Sequence, residues 1–234
     1  MCSIAFSEGR ATKQARGLAA IACVLVGLSS ALGQSTVTSS VTVTNSFKNI
    51  NAAIPDGSVT GLEDTRSVSL PSLFAITDLK VRLNVAGGYN GDLYCYLRHD
   101  SGFVVLLNRP GRSAANAEGS EQAGLQVCFR QDAAQDVHSY PNRAPAGARL
   151  VGEMAPDGRS ADPRKCVASS PRTSTLNSFA GLNPSGKWTL FLADVSPGSQ
   201  STLVDWSLII TAKPRPAELW PDRPAITLAT VSVP

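Results

Sequence analysis

The sequence predicts an all-β domain, a sandwich or a barrel. Three observations carry that expectation. Short runs of Val, Leu, Ile and Thr alternate with polar residues at period two, the signature of strands with one buried face. Gly, Pro, Asn and Asp clusters separate those runs and mark turns. Periodic apolar stripes of helical spacing are scarce. The length of 234 residues suits one domain with extensions.

The elements follow in order. Arg10, Lys13 and Arg16 precede an uncharged apolar run from Leu18 to Leu32, and Ala31-Leu32-Gly33 supplies small residues ahead of Gln34. Residues 1–33 therefore read as a cleaved secretory signal. The run is shorter than the roughly 20 apolar residues of a spanning helix, so no stable membrane span is expected after cleavage. A lipid-anchor reading at Ala20-Ile21-Ala22-Cys23 lacks the Leu that such signals carry three places before the Cys. The expected location is secreted or extracytoplasmic. Cleavage removes three of the 21 basic residues and one of the 18 acidic ones. What remains is close to neutral and has no basic block, which argues against nucleic acid as a partner.

Residues 34–45 are a Ser/Thr-rich linker running into a first strand around Val37, Val41 and Val43. Ile54-Pro55-Asp56-Gly57 is a turn. Leu79, Val81, Leu83 and Val85 alternate with Lys80, Arg82 and Asn84, giving a strand with one wet face. Gly87-Gly88-Tyr89-Asn90-Gly91-Asp92 breaks it. Leu93, Cys95 and Leu97 then share one face, and Tyr94, Tyr96 and Arg98 the other. His99-Asp100-Ser101-Gly102 turns the chain into Phe103–Leu107. These segments read as two consecutive hairpins. Gly111–Gly124 is a polar loop and Leu125–Phe129 a short strand. Residues 130–175 form a long Pro/Gly/Arg/Asp-rich excursion, with a strand near Ala148–Val151; loops of that length are usually functional or mobile. Trp188, Leu190 and Leu192 mark one late strand, and Val204, Trp206, Leu208 and Ile210 another. Residues 213–234, with five prolines, form an extended tail.

Together these segments resemble a known family, the P domain (Homo B domain) of subtilisin-like proprotein convertases. Gly87-Gly88-Tyr89-Asn90-Gly91-Asp92-Leu93, followed by Leu97-Arg98-His99-Asp100-Ser101-Gly102, looks like its central hairpin. Gly186-Lys187-Trp188-Thr189-Leu190 is similar to its G-x-W-x-L element. Asp194, Leu203 and Trp206-Ser207-Leu208 match its closing pattern. The resemblance covers about residues 40–212, with the sandwich at 46–212. It implies a jelly-roll-like β-sandwich of about eight strands. It also implies a domain that packs against a protease and carries no catalytic set itself.

Those motif residues have structural readings. Gly88 and Gly91 suit a tight turn, and Asp92 accepts backbone N–H groups there. Trp188 and Trp206 fill the core and need partners for their N–H groups. Asp194 sits at the end of its strand. Asp92, Asp132 and Asp136, with His138 nearby, are the candidates for a structural Ca²⁺ site, although no full ligand spacing is present. No other cofactor is implied. Ser113, His99 and Asp64 have the chain order of a subtilisin triad but neither its spacing nor its surroundings. Among the exported cysteines, alternation puts Cys95 on the core face and Cys128 on the outer face. Cys128 with Cys166 is the preferred disulfide, the alternative being three free thiols.

The function that fits is a secreted non-catalytic module with a structural or protein-interaction role. An accessory role beside a subtilisin-like serine endopeptidase is the first alternative. A glycan-binding sandwich, with Tyr89, Tyr94 and Tyr96 as stacking surfaces, is the second. A protease or a cell-surface component is the expected partner.

Overall fold

Ten strands build the protein in a computed structural model that describes residues 39–70, 74–140 and 145–215. The expected signal, residues 1–33, lies outside the described residues, as does the tail from 216 on. The strands are β1 (Val41–Phe47), β2 (Ala52–Ile54), β3 (Ser58–Val68), β4 (Phe74–Gly87), β5 (Leu93–His99), β6 (Gly102–Asn108), β7 (Leu125–Phe129), β8 (Leu150–Met154), β9 (Gly186–Asp194) and β10 (Ser201–Pro214). One sheet runs β1-β10-β4-β7-β8, with β2 added to β10; the other runs β3-β9-β5-β6. Pairing is antiparallel except between β7 and β8. The all-β sandwich is thus as expected, with two strands more than the eight anticipated. β1 begins inside the 34–45 segment, and β10 runs to Pro214.

Alternation sets the core. Leu79, Val81, Leu83 and Val85 of β4, with Trp206, Leu208 and Ile210 of β10, are buried from the first sheet. Leu93, Cys95 and Leu97 of β5, with Trp188, Leu190 and Leu192 of β9, are buried from the second. One apolar cluster joins these side chains with Phe129 and Phe179. At about 25 cal/mol per Å² of apolar surface, this burial is the main force holding the two sheets face to face.

Two details depart from the sequence expectation. β4 and β5 are not a hairpin, because β4 pairs with β10 and β7 while β5 pairs with β6 and β9. Gly87 and Gly88, at φ +70° and +65°, and a 3₁₀ turn at Asn90–Asp92 carry the chain across from one sheet to the other. Each strand's alternation is satisfied as well by facing the other across the core as by lying beside it. Only the β5–β6 pair is the expected hairpin. The second departure is a register shift between Leu203 and Asp205 against β4. This bulge puts Leu203 in the core and leaves Val204 half-buried, so the strict alternation from Val204 fails there.

Candidate functional site

The glycine-rich turn and the end of β9 come from segments about a hundred residues apart, yet they meet at one end of the sandwich. Leu93 of β5 is paired with Asp194 of β9, and Val195 N–H donates to the Asp92 carbonyl at 2.9 Å. Gly88 packs so closely on Ser201 that a Cβ there would overlap its Oγ. Gly91 packs likewise on the backbone of Glu118–Ser120. Both glycines are therefore set by close approach of neighbouring chain. Asp92 is buried and receives Arg109 Nη2 at 3.2 Å. Burial pushes its carboxyl upward, opposed by Ser196 and Arg109. Arg109 also donates to the Gly91 carbonyl at 2.8 Å. Asp194 is wholly buried; Oδ2 accepts from Ser201 Oγ at 3.3 Å, and Oδ1 has no partner among the described residues. Burial first, then the charges of Asp92 and Asp56, push Asp194 up to about 6.

Beside Asp92 lies a cleft of about 570 Å³ lined by Tyr89, Glu118, Glu121, Ser120, Ser196 and Pro197 among others. Asp92, Glu118 and Glu121 bring three carboxyl groups to its lining, and Tyr89 is 47% exposed. This is the concave, acidic feature at the motif-bearing end. It suits a cationic group better than an anionic one.

The two tryptophans occupy the core as expected. Trp188 Nε1 donates to the Pro184 carbonyl at 3.0 Å, and its ring stacks on His99 with centroids 4.0 Å apart. Trp206 Nε1 donates to Asp64 Oδ2 at 2.6 Å, with Phe47 tilted against the ring. His99 uses both ring nitrogens on the Lys187 and Asn183 carbonyls. Asp64 is held by Arg66 and Trp206. His99 and Asp64 are thus tied to separate partners, and no Ser113–His99 hydrogen bond joins the sequence-ordered trio.

Buried polar contacts hold the described residues of the excursion, 130–140 and 145–175. Asp157 is its hub: Oδ2 accepts from His138 Nδ1 at 2.8 Å and from Asn108 N–H at 3.1 Å. Arg159 donates to Asp157 and Asp136 and to the Ala168 carbonyl. Sequence reasoning named Asp136 and His138 but missed Arg109, Asp157 and Arg159. Buried Arg and Asp look like surface residues in composition, and only the Asp157-Gly158-Arg159 turn hinted at local pairing.

The three candidate metal carboxylates are not brought together. Asp92 faces Arg109, Asp132 pairs with Arg130 at 2.7 Å, and Asp136 contacts Arg159. Among the described residues, no group of three His, Cys, Asp or Glu side chains is gathered for a metal. The cysteines are also separate. Cys95, Cys128 and Cys166 are free thiols, so the expected Cys128–Cys166 bridge is absent from the structure. Cys128 lies on the outer side of β7 opposite Arg82 and Glu153, while Cys166 is buried in the excursion beside Asp157 and Ser170. Alternation placed Cys95 and Cys128 on their faces, but it says nothing about where a distant loop folds back.

Tyr94, Tyr96, Phe103 and Phe191 cluster on the outer face of the four-stranded sheet. Tyr96 stacks on Phe191 with centroids 4.8 Å apart and is tilted against Phe103 at 5.4 Å. Tyr89 stands apart at the acidic cleft, so the three tyrosines grouped by sequence belong to two surfaces.

The fold and this end define a two-sheet β-sandwich with a polar, glycine-set rim. No family model matches the chain, and no curated protein matches it. Among solved structures, the chain is similar to the Aeromonas sobria serine protease in complex with its chaperone, at 15% identity and a TM-score of 0.40. It is also similar to the serine protease of Aeromonas sobria, at 15% identity and a TM-score of 0.36. In each, the likeness covers 75% of this chain and 27% of the other. This chain thus spans about a quarter of those chains' length.

Proposed function

We propose that the chain is a secreted P-domain-like module that works by structural or protein-protein contact and carries out no chemistry. The observation that carries this reading is the meeting of its two motif groups. Gly88 packs on Ser201, which donates to Asp194; the Asp92 carbonyl accepts from the N–H of the neighbouring Val195, and Gly91 packs on Glu118–Ser120, so the motif residues are spent on building one end of the sandwich. The buried His138–Asp157 pair supports it, because the second ring nitrogen of His138 is taken by the Arg112 carbonyl at 2.9 Å rather than facing a nucleophile. An accessory role beside a subtilisin-like protease is the form of contact that the motif resemblance favours. A glycan-binding role is the second reading, favoured by the aromatic cluster of Tyr94, Tyr96, Phe103 and Phe191.

The test uses the secreted chain. It is treated with a serine-reactive probe and a peptide library, and used for affinity capture from culture supernatant. Neither labelling nor cleavage is expected. A labelled serine or a cleaved peptide refutes the reading. Capture of a subtilisin-like protein supports the accessory role, and retention on polysaccharide moves the assignment to glycan binding.

A further inference from the structure

His138 is wholly buried between two acceptors. Its Nδ1 lies 2.8 Å from Asp157 Oδ2, and its Nε2 lies 2.9 Å from the Arg112 carbonyl oxygen. The Arg112 carbonyl has no hydrogen to give, and the Asp157 carboxyl is already an acceptor of Asn108 N–H at Oδ2 and of Arg159 at Oδ1. A neutral imidazole has one N–H. In either neutral tautomer, a ring lone pair would therefore face an oxygen lone pair at hydrogen-bond distance. Both contacts are favourable only when both nitrogens are protonated.

The surrounding charges agree. Asp157 is the carboxylate on one side of the ring, and it is shared with Arg159 at 3.1 Å. Arg159 reaches Asp136 on its far side at 3.4 Å. Arg112 offers its carbonyl, while its guanidinium turns away to the carbonyls of Ala117 and Pro163. Cys166, beside Asp157, is pushed up to about 11 by burial and Asp157, so its thiol adds no charge. With a charged ring, two cations alternate with two carboxylates. With a neutral ring, one negative charge of the cluster is left without a cation, and Asp136 is only partly buried.

We propose that His138 is an imidazolium latch that fastens the 112–122 loop to the 130–175 excursion and lets it go as rising pH takes the second proton from the ring. The loop is the part at stake, since its Glu118, Ser120 and Glu121 form one wall of the acidic cleft, and Ala146 and Gly147 of the excursion form another. The Arg112 carbonyl also accepts from Ala168 N–H at 3.0 Å, so the same oxygen joins three segments. Burial alone would favour the neutral ring, but the Asp157 carboxylate and the Arg112 carbonyl outweigh it and raise His138 above its ordinary value of 6.5. The sign follows. A raised histidine contributes stability that is complete below its unfolded value and is lost as pH climbs through the folded one. The latch is therefore closed around the ordinary histidine value of 6.5 and opens as pH climbs through the raised folded one. This inference is independent of the proposed function.

Nitrogen-15 imidazole NMR of the secreted chain across a pH series tests it. At about pH 6, the His138 ring is expected to show two protonated nitrogens. Its midpoint is expected above that of an ordinary histidine, and the Ala168 amide is expected to shift with the same midpoint. A singly protonated His138 ring in the folded chain at that pH overturns the proposal. So does an Ala168 amide that stays put while His138 titrates. Asp157 is a poor residue to change, because it also holds Asn108 and Arg159. H138Q keeps a donor but cannot charge, so it is expected to abolish the Ala168 titration; a surviving titration in H138Q also overturns the latch.

Discussion

Gly88→Ala tests whether the rim of the sandwich is set by close approach or merely by a left-handed turn. Gly88 has φ +65°, which costs a residue with a Cβ about 1–2 kcal/mol. Gly181 has φ +82° with nothing within 4 Å of an added Cβ, so Gly181→Ala pays that backbone cost alone. At Gly88, the new Cβ overlaps Ser201 Oγ and also meets Ser201 Cβ at 3.1 Å and the Ser199 carbonyl at 3.2 Å. Ser201 must then shift away from Asp194, leaving a buried carboxylate without its side-chain donor. That adds about 1–3 kcal/mol, for a total of about 2–5 kcal/mol. Urea unfolding, followed by fluorescence of the buried Trp188 and Trp206, measures both variants as shifts in midpoint at constant slope. In a Ser201→Ala background, the Gly88→Ala penalty is expected to fall toward that of Gly181→Ala, since the overlapping hydroxyl is gone. Equal costs for Gly88→Ala and Gly181→Ala, within about 0.5 kcal/mol, would refute the argument.

Three further outcomes follow from buried groups. Asp194, ordinarily near 3.8 and pushed up to about 6, favours the folded state when protonated. Its contribution is therefore present below about pH 4 and lost as pH rises to about 6; Asp194→Asn should flatten that part of the stability profile, and an unchanged slope would assign the effect elsewhere. Arg109→Met leaves Asp92 buried without its cation and is expected to cost about 3–5 kcal/mol in the same urea assay; a loss below about 1 kcal/mol would show that Asp92 is solvated or neutral. For the thiols, a disulfide-exchange reagent should modify only the half-buried Cys128 in the folded chain, and Cys95 and Cys166 only after denaturation, because burial pushes both upward and shuts out the reagent. Loss of two reactive thiols, restored by reductant, would instead reveal a disulfide.

Much of the fold was legible because a strand's buried face is a local property. The alternation of Leu79–Val85, Leu93–Leu97 and Trp188–Leu192 reports a face directly, and each of those faces is buried. Pairing was less legible. Nothing local distinguishes β4 beside β5 from β4 across the core from β5, so the first expected hairpin proved to be a crossing between sheets. The bulge at Leu203–Asp205 was missed because one extra residue inverts the pattern without any distinctive residue type. At the site, Gly88, Gly91, Asp92 and Asp194 stood out in sequence, but their mutual contact did not. Arg109, Asp157 and Arg159 were not legible, since their burial depends on partners in other turns and strands, such as Asp92 for Arg109 and His138 for Asp157.

By itself, then, the sequence determined the all-β class, the residues that line the core, and the glycine and tryptophan positions on which the sandwich depends. Period-two patterning and turn chemistry act over a few residues, and the chain states them openly. The tertiary structure alone decided which strands share a sheet, which acids meet which arginines, and that His138 lies between two acceptors. Those are outcomes of long-range packing, where a buried charge is tolerated only if a distant segment brings its counterpart. The polar network of the excursion, read from sequence as a long loop, is the clearest case. Its composition looks like surface, and its burial arises only when Asp157, Arg159, His138 and Arg112 close on one another.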